Sequence, residues 1–186
     1  MKEVFKINDL EQVRLLSDPL KLQLLQAFAE GAKTTKQVAG ELGESITKLY
    51  RHVDALHDAG LLVVVSEQQK RGTVERTFRA VAQRFEADQA LFADGDTGEG
   101  SDAARDILRA GEEEILHAIA NADSSREQEA IMLRLRGKAS PERMAELRSS
   151  LNDWIESTQD GDDGGDQEEF GALIAFYPLA TTDKDK

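Results

Sequence analysis

The stretch from Ser45 to Leu62 constrains the fold of this chain more than any other. Its apolar residues recur at helical spacing and predict one buried stripe on an amphipathic helix; they are Leu49, Val53 and Leu56. Ser45 is a suitable N-cap, because its hydroxyl can accept a bond from an amide of the first turn, and Gly60 supplies a left-handed residue that ends the helix. Polar and cationic residues crowd the first two turns of the other face: Thr47, Lys48, Tyr50 and Arg51. The pattern predicts a helix with one side in the protein core and a cationic N-terminal half that contacts a partner outside the core.

A shorter helix is predicted immediately before this one. Thr34 and Gln37 have the spacing of a capping box, in which each side chain satisfies the backbone amide of the other residue. Gly43 supplies a tight turn before Ser45. Two helices joined by about three or four residues that include glycine form a helix-turn-helix, whose second helix enters the DNA major groove by its N-terminal residues.

A third helix is predicted upstream, with Ser17 or Asp18 as its cap and Pro19 in its first turn. Its buried side extends to Gly31, so this helix is expected to support the helix-turn-helix. Downstream, two β-prone runs flank a polar turn that contains Gly72, and residues 63–81 therefore predict a hairpin. Next to a helix-turn-helix, such a hairpin is the wing of a winged helix, with Lys70 and Arg71 at its tip.

Residues 16–82 resemble the winged helix-turn-helix domain of ArsR-like bacterial and archaeal transcription regulators. The resemblance rests on the order and spacing of four groups of residues: Leu16-Ser17-Asp18-Pro19 with Leu24-Leu25; Val38-Ala39, Leu42-Gly43 and Ser45; Arg51-His52-Val53, Leu56 and Ala59-Gly60-Leu61; and Gly72 followed by Arg76-Thr77-Phe78-Arg79. It covers less than half of the chain. It implies a sequence-specific DNA-binding transcription regulator, acting as a homodimeric repressor.

We assign the DNA contacts from the docking geometry of winged helices. The residues expected in the major groove are Thr47, Lys48, Tyr50 and Arg51, and Arg51 can form a bidentate bond to guanine. Ser45 and the helix N-terminus can hold a phosphate. The wing residues expected to meet the DNA backbone or minor groove are Lys70, Arg71, Arg76 and Arg79. The alternative is a winged helix that docks on a protein and does not bind DNA.

The net charge of −13 is unusual for a DNA-binding protein, but it is unevenly distributed. Residues 1–84 hold 13 Lys and Arg against 11 Asp and Glu, whereas residues 85–186 hold 10 against 25. Phosphate attraction acts over roughly a Debye length, about 8–10 Å, so an acidic second half does not prevent docking of a basic first half. We therefore expect a winged helix-turn-helix domain in residues 1–84, a connecting segment and linker in 85–101, and an acidic domain in 102–186.

The acidic domain is predicted to be αβαβ, which makes the whole chain α+β. A long helix is expected from Ser101 or Asp102 to about Ala122, and a short helix is expected before the linker, over residues 84–93. The long helix carries a heptad seam suited to pairing with a second subunit or to packing within its own domain: Ala104, Leu108, Gly111, Ile115, Ala118 and Ala122. The proposed dimerisation residues are Ala104, Leu108, Ile115 and Ala118.

Two strands are predicted in the same domain, at residues 129–136 and 170–177, on either side of a helix that starts at Ser140-Pro141. Two strands are few for a stable sheet, so either a second subunit completes the sheet or the two strands pack under the helices. Their apolar residues, with Trp154, either line a cavity for an unknown small-molecule effector or form a closed core; the strand residues are Ile131, Leu133, Leu135, Leu173, Ile174, Phe176 and Tyr177.

Several classes of function are disfavoured. The chain has no cysteine, which excludes disulfides, zinc–thiolate sites and cysteine nucleophiles. Glu113 and His117 are spaced to share a helix face, but one pair is not a metal site, and all three histidines are expected to be structural or surface residues. No catalytic fingerprint is present, so we expect neither an enzyme nor a cofactor. No apolar run has the length of a signal peptide or membrane span, which predicts a soluble, cytoplasmic protein without a membrane partner.

Overall fold

The structure is a computed structural model that describes residues 2–70, 72–93, 98–121, 131–158, 170–177 and 179. It divides into two compact units, residues 1–116 and 117–186, and each is described by itself. The first unit holds five strands and four complete helices, in the order β1 (Lys2–Ile7), α1 (Leu10–Leu16), α2 (Pro19–Glu30), β2 (Lys33–Thr34), α3 (Thr35–Glu41), α4 (Ile46–Asp58), β3 (Leu62–Lys70), β4 (Thr73–Ala80) and β5 (Ala82–Ala87), followed by a 3₁₀ turn (Gln89–Phe92) and most of α5 (Glu99–Ala120); α6 (Pro141–Ser157) lies in the second unit.

The core of the first unit is formed by α2, α3, α4 and the base of the wing, where β3 begins and β4 ends. Its largest members are at most 4% exposed: Leu24, Leu25, Phe28, Val38, Leu49, Val53, Leu56, Leu61, Leu62 and Phe78. Phe28 meets Phe78 edge-on, with ring centroids 6.1 Å apart, so the support helix packs directly against the base of the wing. Burial of each such side chain stabilises the fold by about 1.5–3 kcal/mol. The predicted stripes of α2 and α4 are confirmed.

The helix boundaries follow local signals in the sequence. Asp18 caps α2, and its carboxylate accepts bonds from the amides of Leu20 and Lys21. The capping box of α3 is present: the Thr34 hydroxyl accepts from the Gln37 amide at 3.2 Å, and the Gln37 side chain accepts from the Thr34 amide at 2.8 Å.

Two glycines in left-handed backbone end α3 and α4. Gly43 (φ 65°) follows α3, and the Glu44 amide bonds back to the Ala39 carbonyl. Gly60 (φ 74°) follows α4, and the Leu61 amide bonds back to the Leu56 carbonyl. These bonds satisfy carbonyls at the helix ends and turn the chain sharply. The predicted glycine turn of the helix-turn-helix is therefore confirmed.

The predicted wing is also confirmed. Strands β3 and β4 pair antiparallel from Leu62 opposite Ala80 to Lys70 opposite Thr73, and β2 adds a short third strand in the order β2-β4-β3. A bulge lies between Val64 and Ser66. Gly72 has φ 92° at the hairpin turn, where glycine avoids the clash that a Cβ atom causes.

A parallel pair of strands replaces the short helix that the sequence predicted over residues 84–93, and that prediction is wrong. Strand β5 pairs with β1, with Phe5 opposite Phe85, and only a 3₁₀ turn follows it. The pair covers a second small core in which Ile7, Val13 and Ala103 are buried. The spacing of Phe85 and Phe92 suits one face of a helix, but the backbone of β5 bonds to a strand about 80 residues earlier.

In the second unit, α6 is confirmed, with Ser140 as its cap. The two predicted strands are not: described residues 131–136 and 170–177 have no regular structure, and 129–130 lie outside the described residues. A strand needs a neighbour for its backbone bonds, and no strand lies among the described residues of this unit. The α+β class is confirmed by the first unit, but the αβαβ arrangement is corrected.

The apolar residues expected to form a layer in the second unit are exposed instead. Ile131 is 87% exposed and Leu135 is 77% exposed, and no described residue of the unit is buried. Neither the effector cavity nor the closed core is therefore present among its described residues.

Candidate nucleic-acid interface

Helix α4 presents opposite faces to the core and to solvent. Leu49, Val53 and Leu56 are at most 1% exposed and anchor the helix on α2 and the wing. On the outside, all five residues assigned to the groove face are exposed: Ser45, Thr47, Lys48, Tyr50 and Arg51. Tyr50 is 51% exposed although it directly follows the fully buried Leu49. The helix thus holds polar side chains outward by burying the residues between them.

The N-terminus of α4 differs from the sequence prediction in one respect. Ser45 is the N-cap residue, with extended backbone, but its side chain makes no capping bond. The expectation that the hydroxyl caps the first turn is therefore wrong. A helix start without a side-chain cap leaves both the hydroxyl and the positive end of the helix dipole available to an anion such as a phosphate.

Three of the cations that are expected to bind DNA form ion pairs with carboxylates of the same chain. The Lys48 ammonium lies 2.7 Å from Glu44, four residues earlier, and the Arg76 guanidinium lies 3.0 Å from Glu67 on the neighbouring strand. Lys70 forms a short contact with Glu75. The hydrogen bond from Lys48 lowers the pKa of Glu44 below its usual value, so this carboxylate stays ionised at neutral pH.

The other assigned cations stand in three different situations. Arg51 is exposed and has no ion pair among the described residues. Arg79 is half-buried at the base of the hairpin, opposite Val63, and its Nε has no hydrogen-bond partner among the described residues. Arg71 lies outside the described residues. The hairpin therefore holds Lys70 at its tip, whereas Arg79 lies several residue pairs away from it.

Sequence reasoning missed two lysines close to the helix-turn-helix. Lys36 is exposed in the first turn of α3, the helix that crosses the DNA backbone in this motif. Its position after the capping residue Thr34 was a usable signal. Lys33 is different, because Glu30 and Glu41 both lie 2.8 Å from its ammonium. Burial lowers the pKa of Lys33, but hydrogen bonds and charge from these two carboxylates outweigh burial and raise the pKa above its usual value.

The two histidines of α4 have structural contacts. His57 Nδ1 lies 3.0 Å from the Leu62 carbonyl, and its ring meets Phe78 edge-on. His52 Nδ1 lies 3.7 Å from the Asp18 carboxylate, which links α4 to the start of α2. Among the residues that the structure describes, no group of three or more acidic or histidine side chains is placed to hold a metal ion.

An acidic cleft marks the other end of α4. It has a volume of about 400 Å³ and lies between α1 and α4. Its lining includes three carboxylates and residues of both helices: Asp9, Glu11, Gln12, Leu15, Ala55, Asp58 and Ala59. Carboxylates repel phosphate, so the cationic surface of α4 is confined to its N-terminal half.

These elements define a winged helix: a helix-turn-helix of α3 and α4, supported by α2, with β3 and β4 as its wing. Residues 16–65 match a family model described as a helix-turn-helix domain, and the match confirms the ArsR-type resemblance for that part of the chain. Domains of this type are typical of DNA-binding transcription regulators that are not enzymes. No curated protein sequence matches the chain significantly. Among the described residues, no helix is long and apolar enough to cross a membrane.

Proposed function

We propose that this protein is a sequence-specific DNA-binding transcription regulator that acts as a homodimeric repressor in the cytoplasm. The observation that carries the proposal is the arrangement of α4. Its N-terminal half exposes Thr47, Lys48, Tyr50 and Arg51, whereas its C-terminal half borders an acidic cleft. That polarity suits a helix that enters the major groove by its first two turns.

Arg51 is the residue proposed to read a base. It is exposed, and it has no carboxylate partner among the described residues, so its guanidinium is free to form a bidentate bond to guanine. Lys48 and the Ser45 hydroxyl are proposed to hold phosphates at the edge of the groove. Lys70 and Arg71 are proposed to contact the backbone or minor groove from the wing, with Arg76 and Arg79 behind them.

The competing function is a winged helix that docks on a protein. A selection from a pool of random duplexes separates the two, because a DNA reader enriches one sequence whereas a protein-docking module enriches none. In the selected duplex, we expect Arg51→Ala to lose about 1–3 kcal/mol of discrimination at one base position. Arg143→Ala, which removes an exposed arginine from α6 in the second unit, is the matched control and should leave the preference intact. If no sequence is enriched, the proposal of sequence-specific binding is wrong.

Dimerisation through α5 is proposed from its unpaired apolar side chains. Gly100 and Ala103 at its start are buried, whereas Leu108 is 49% exposed and Ala118 is also exposed; Ala104 and Ile115 are half-buried. These last four residues fall on the heptad seam, and a second copy of α5 would cover them. A two-fold dimer presents two α4 helices to half-sites about 34–36 Å apart.

Sedimentation tests the dimer. The wild-type chain is expected to dissociate on dilution with a measurable dimer constant, and Leu108→Glu is expected to be monomeric at the same concentrations because it introduces a charge into the seam. Glu113→Gln changes a charge on the exposed side of the same helix, opposite the seam, and should leave the dimer unchanged. A Leu108→Glu variant that remains dimeric would remove α5 from the proposed interface.

A further inference from the structure

Three carboxylates neutralise three of the cations that are proposed to contact phosphate. Glu44 pairs with Lys48, Glu67 with Arg76, and Glu75 with Lys70. We propose that these glutamates set DNA specificity: they suppress phosphate-driven binding to arbitrary sequences and leave base reading by Arg51 unaffected. This inference rests on the proposed function, because it assumes that the same surface binds DNA.

The pairs are built into the local structure. Glu44 lies four residues before Lys48, across the first turn of α4, where side chains at this spacing meet. Glu67 and Arg76 are directly opposite in the register of β3 and β4, and cross-strand side chains at such positions are in contact. Glu75 reaches Lys70 diagonally across the same ladder. Each carboxylate is therefore held beside its cation whenever the helix and the hairpin are folded.

The pairs are also accessible enough to be exchanged for phosphate. The side chains of Lys48, Lys70 and Arg76 are 48%, 56% and 50% exposed. A DNA phosphate that approaches any of them competes with the glutamate for the cation, and the carboxylate remains close to the DNA backbone and repels it. An exposed ion pair changes an equilibrium by about two- to fivefold, so three pairs together reduce phosphate-driven affinity substantially.

Arg51 differs from these three paired cations. It lies on the same helix as Lys48, yet it has no ion pair among the described residues. Phosphate contact supplies most of non-specific affinity, whereas base contact supplies discrimination. Weakening phosphate contact while sparing base contact raises the ratio of specific to non-specific binding. This ratio decides how fully the specific site is occupied when competing sites are abundant.

The test uses the full-length chain and a mixed-sequence duplex of about 30 base pairs as the probe. We expect Glu44→Gln, Glu67→Gln and Glu75→Gln each to tighten binding about two- to fivefold, and the triple variant to tighten it about tenfold or more. Because up to three more cations become free to displace counterions, the plot of log affinity against log salt should steepen by up to about three. Glu146→Gln, which breaks the exposed Arg143–Glu146 pair of α6, removes the same charge and should change neither quantity.

A double-mutant cycle distinguishes action through the paired cation from a general loss of negative charge. If Glu75 acts through Lys70, Glu75→Gln will tighten binding in the wild-type background but not in the Lys70→Ala background. The same logic applies to Glu67 with Arg76→Ala. Unfolding curves of all variants verify that each remains folded.

The outcomes separate this inference from the proposed function. If the wild type and the triple variant bind the duplex equally well, or if Glu146→Gln tightens binding as much, the specificity role of the glutamates is wrong and DNA binding stands. If neither the wild type nor the triple variant binds any duplex at low salt, the proposed function fails, and this inference fails with it.

Discussion

Two glycines three residues apart are expected to respond to alanine in opposite directions. Gly43 has φ 65° in the turn of the helix-turn-helix, whereas Gly40 lies inside α3 and has no positive φ. An added Cβ meets no atom within 4 Å at either position, so packing does not enter the comparison. Alanine in left-handed backbone costs about 1–2 kcal/mol, whereas alanine for glycine within a helix gains about 0.5–1 kcal/mol. We therefore expect Gly43→Ala to destabilise the chain and Gly40→Ala to stabilise it.

The two variants are expected to differ by about 1.5–3 kcal/mol in the free energy of unfolding, which corresponds to a separation on the order of 1 M between their urea midpoints. Circular dichroism at 222 nm follows all helices of the chain, most of which lie in the first unit. The single tryptophan, Trp154, belongs to α6, so its fluorescence follows the second unit separately. Equal shifts of the same sign for both variants would refute the assignment of Gly43 to left-handed backbone, and with it the geometry that orients α4.

Three other substitutions probe the helices of the winged helix. Leu49→Ala removes a fully buried side chain of α4 and should cost about 2–5 kcal/mol of stability. Tyr50→Ala, at the next and exposed position, should change stability by less than about 0.5 kcal/mol and weaken duplex binding. Urea unfolding and a duplex titration check the two variants, and a Leu49→Ala variant as stable as the wild type would contradict the burial of Leu49 in the core. For Asp18, burial raises the carboxyl pKa, but the hydrogen bonds and charge of Lys21, aided by His52, outweigh burial and lower the pKa below 3.8. The ionised form therefore stabilises the folded state at higher pH, and this contribution is lost as the pH falls through the lowered pKa. Asp18→Asn keeps the cap but not the charge, so the wild type should be more stable than Asp18→Asn at neutral pH, and the difference should shrink below about pH 4; a difference that does not depend on pH in urea unfolding would contradict the role of the charge.

The winged helix was predictable because its signals are local. The Thr34–Gln37 capping box, the stripe on α4 and the glycines at positions 43 and 60 each specify structure within a few residues. Such signals set helix ends, faces and turns without knowledge of the rest of the chain. The exposed face of α4 follows from the same periodicity, since Leu49 and Val53 fix which side is buried.

The errors arose where structure depends on distant partners. Strand β5 exists because β1 pairs with it, and nothing near Phe85 in the sequence specifies that partner. The alternating pattern of residues 131–136 predicted a strand, but alternation does not supply a neighbour for its backbone groups. In the interface, the spacing of Glu44 and Lys48 was readable from the sequence, whereas the pairing of Glu67 with Arg76 required the register of the hairpin.

The most direct test of the proposed interface is the salt dependence of binding to a mixed-sequence duplex by the wild type and by a variant with both Lys70 and Arg71 changed to alanine. We predict that wild-type affinity falls steeply with salt, and that the variant binds every sequence more weakly, with a slope shallower by about one to two because it makes fewer phosphate contacts. Equal affinity and equal slope for the two proteins would contradict the claim that the wing contacts DNA beside α4.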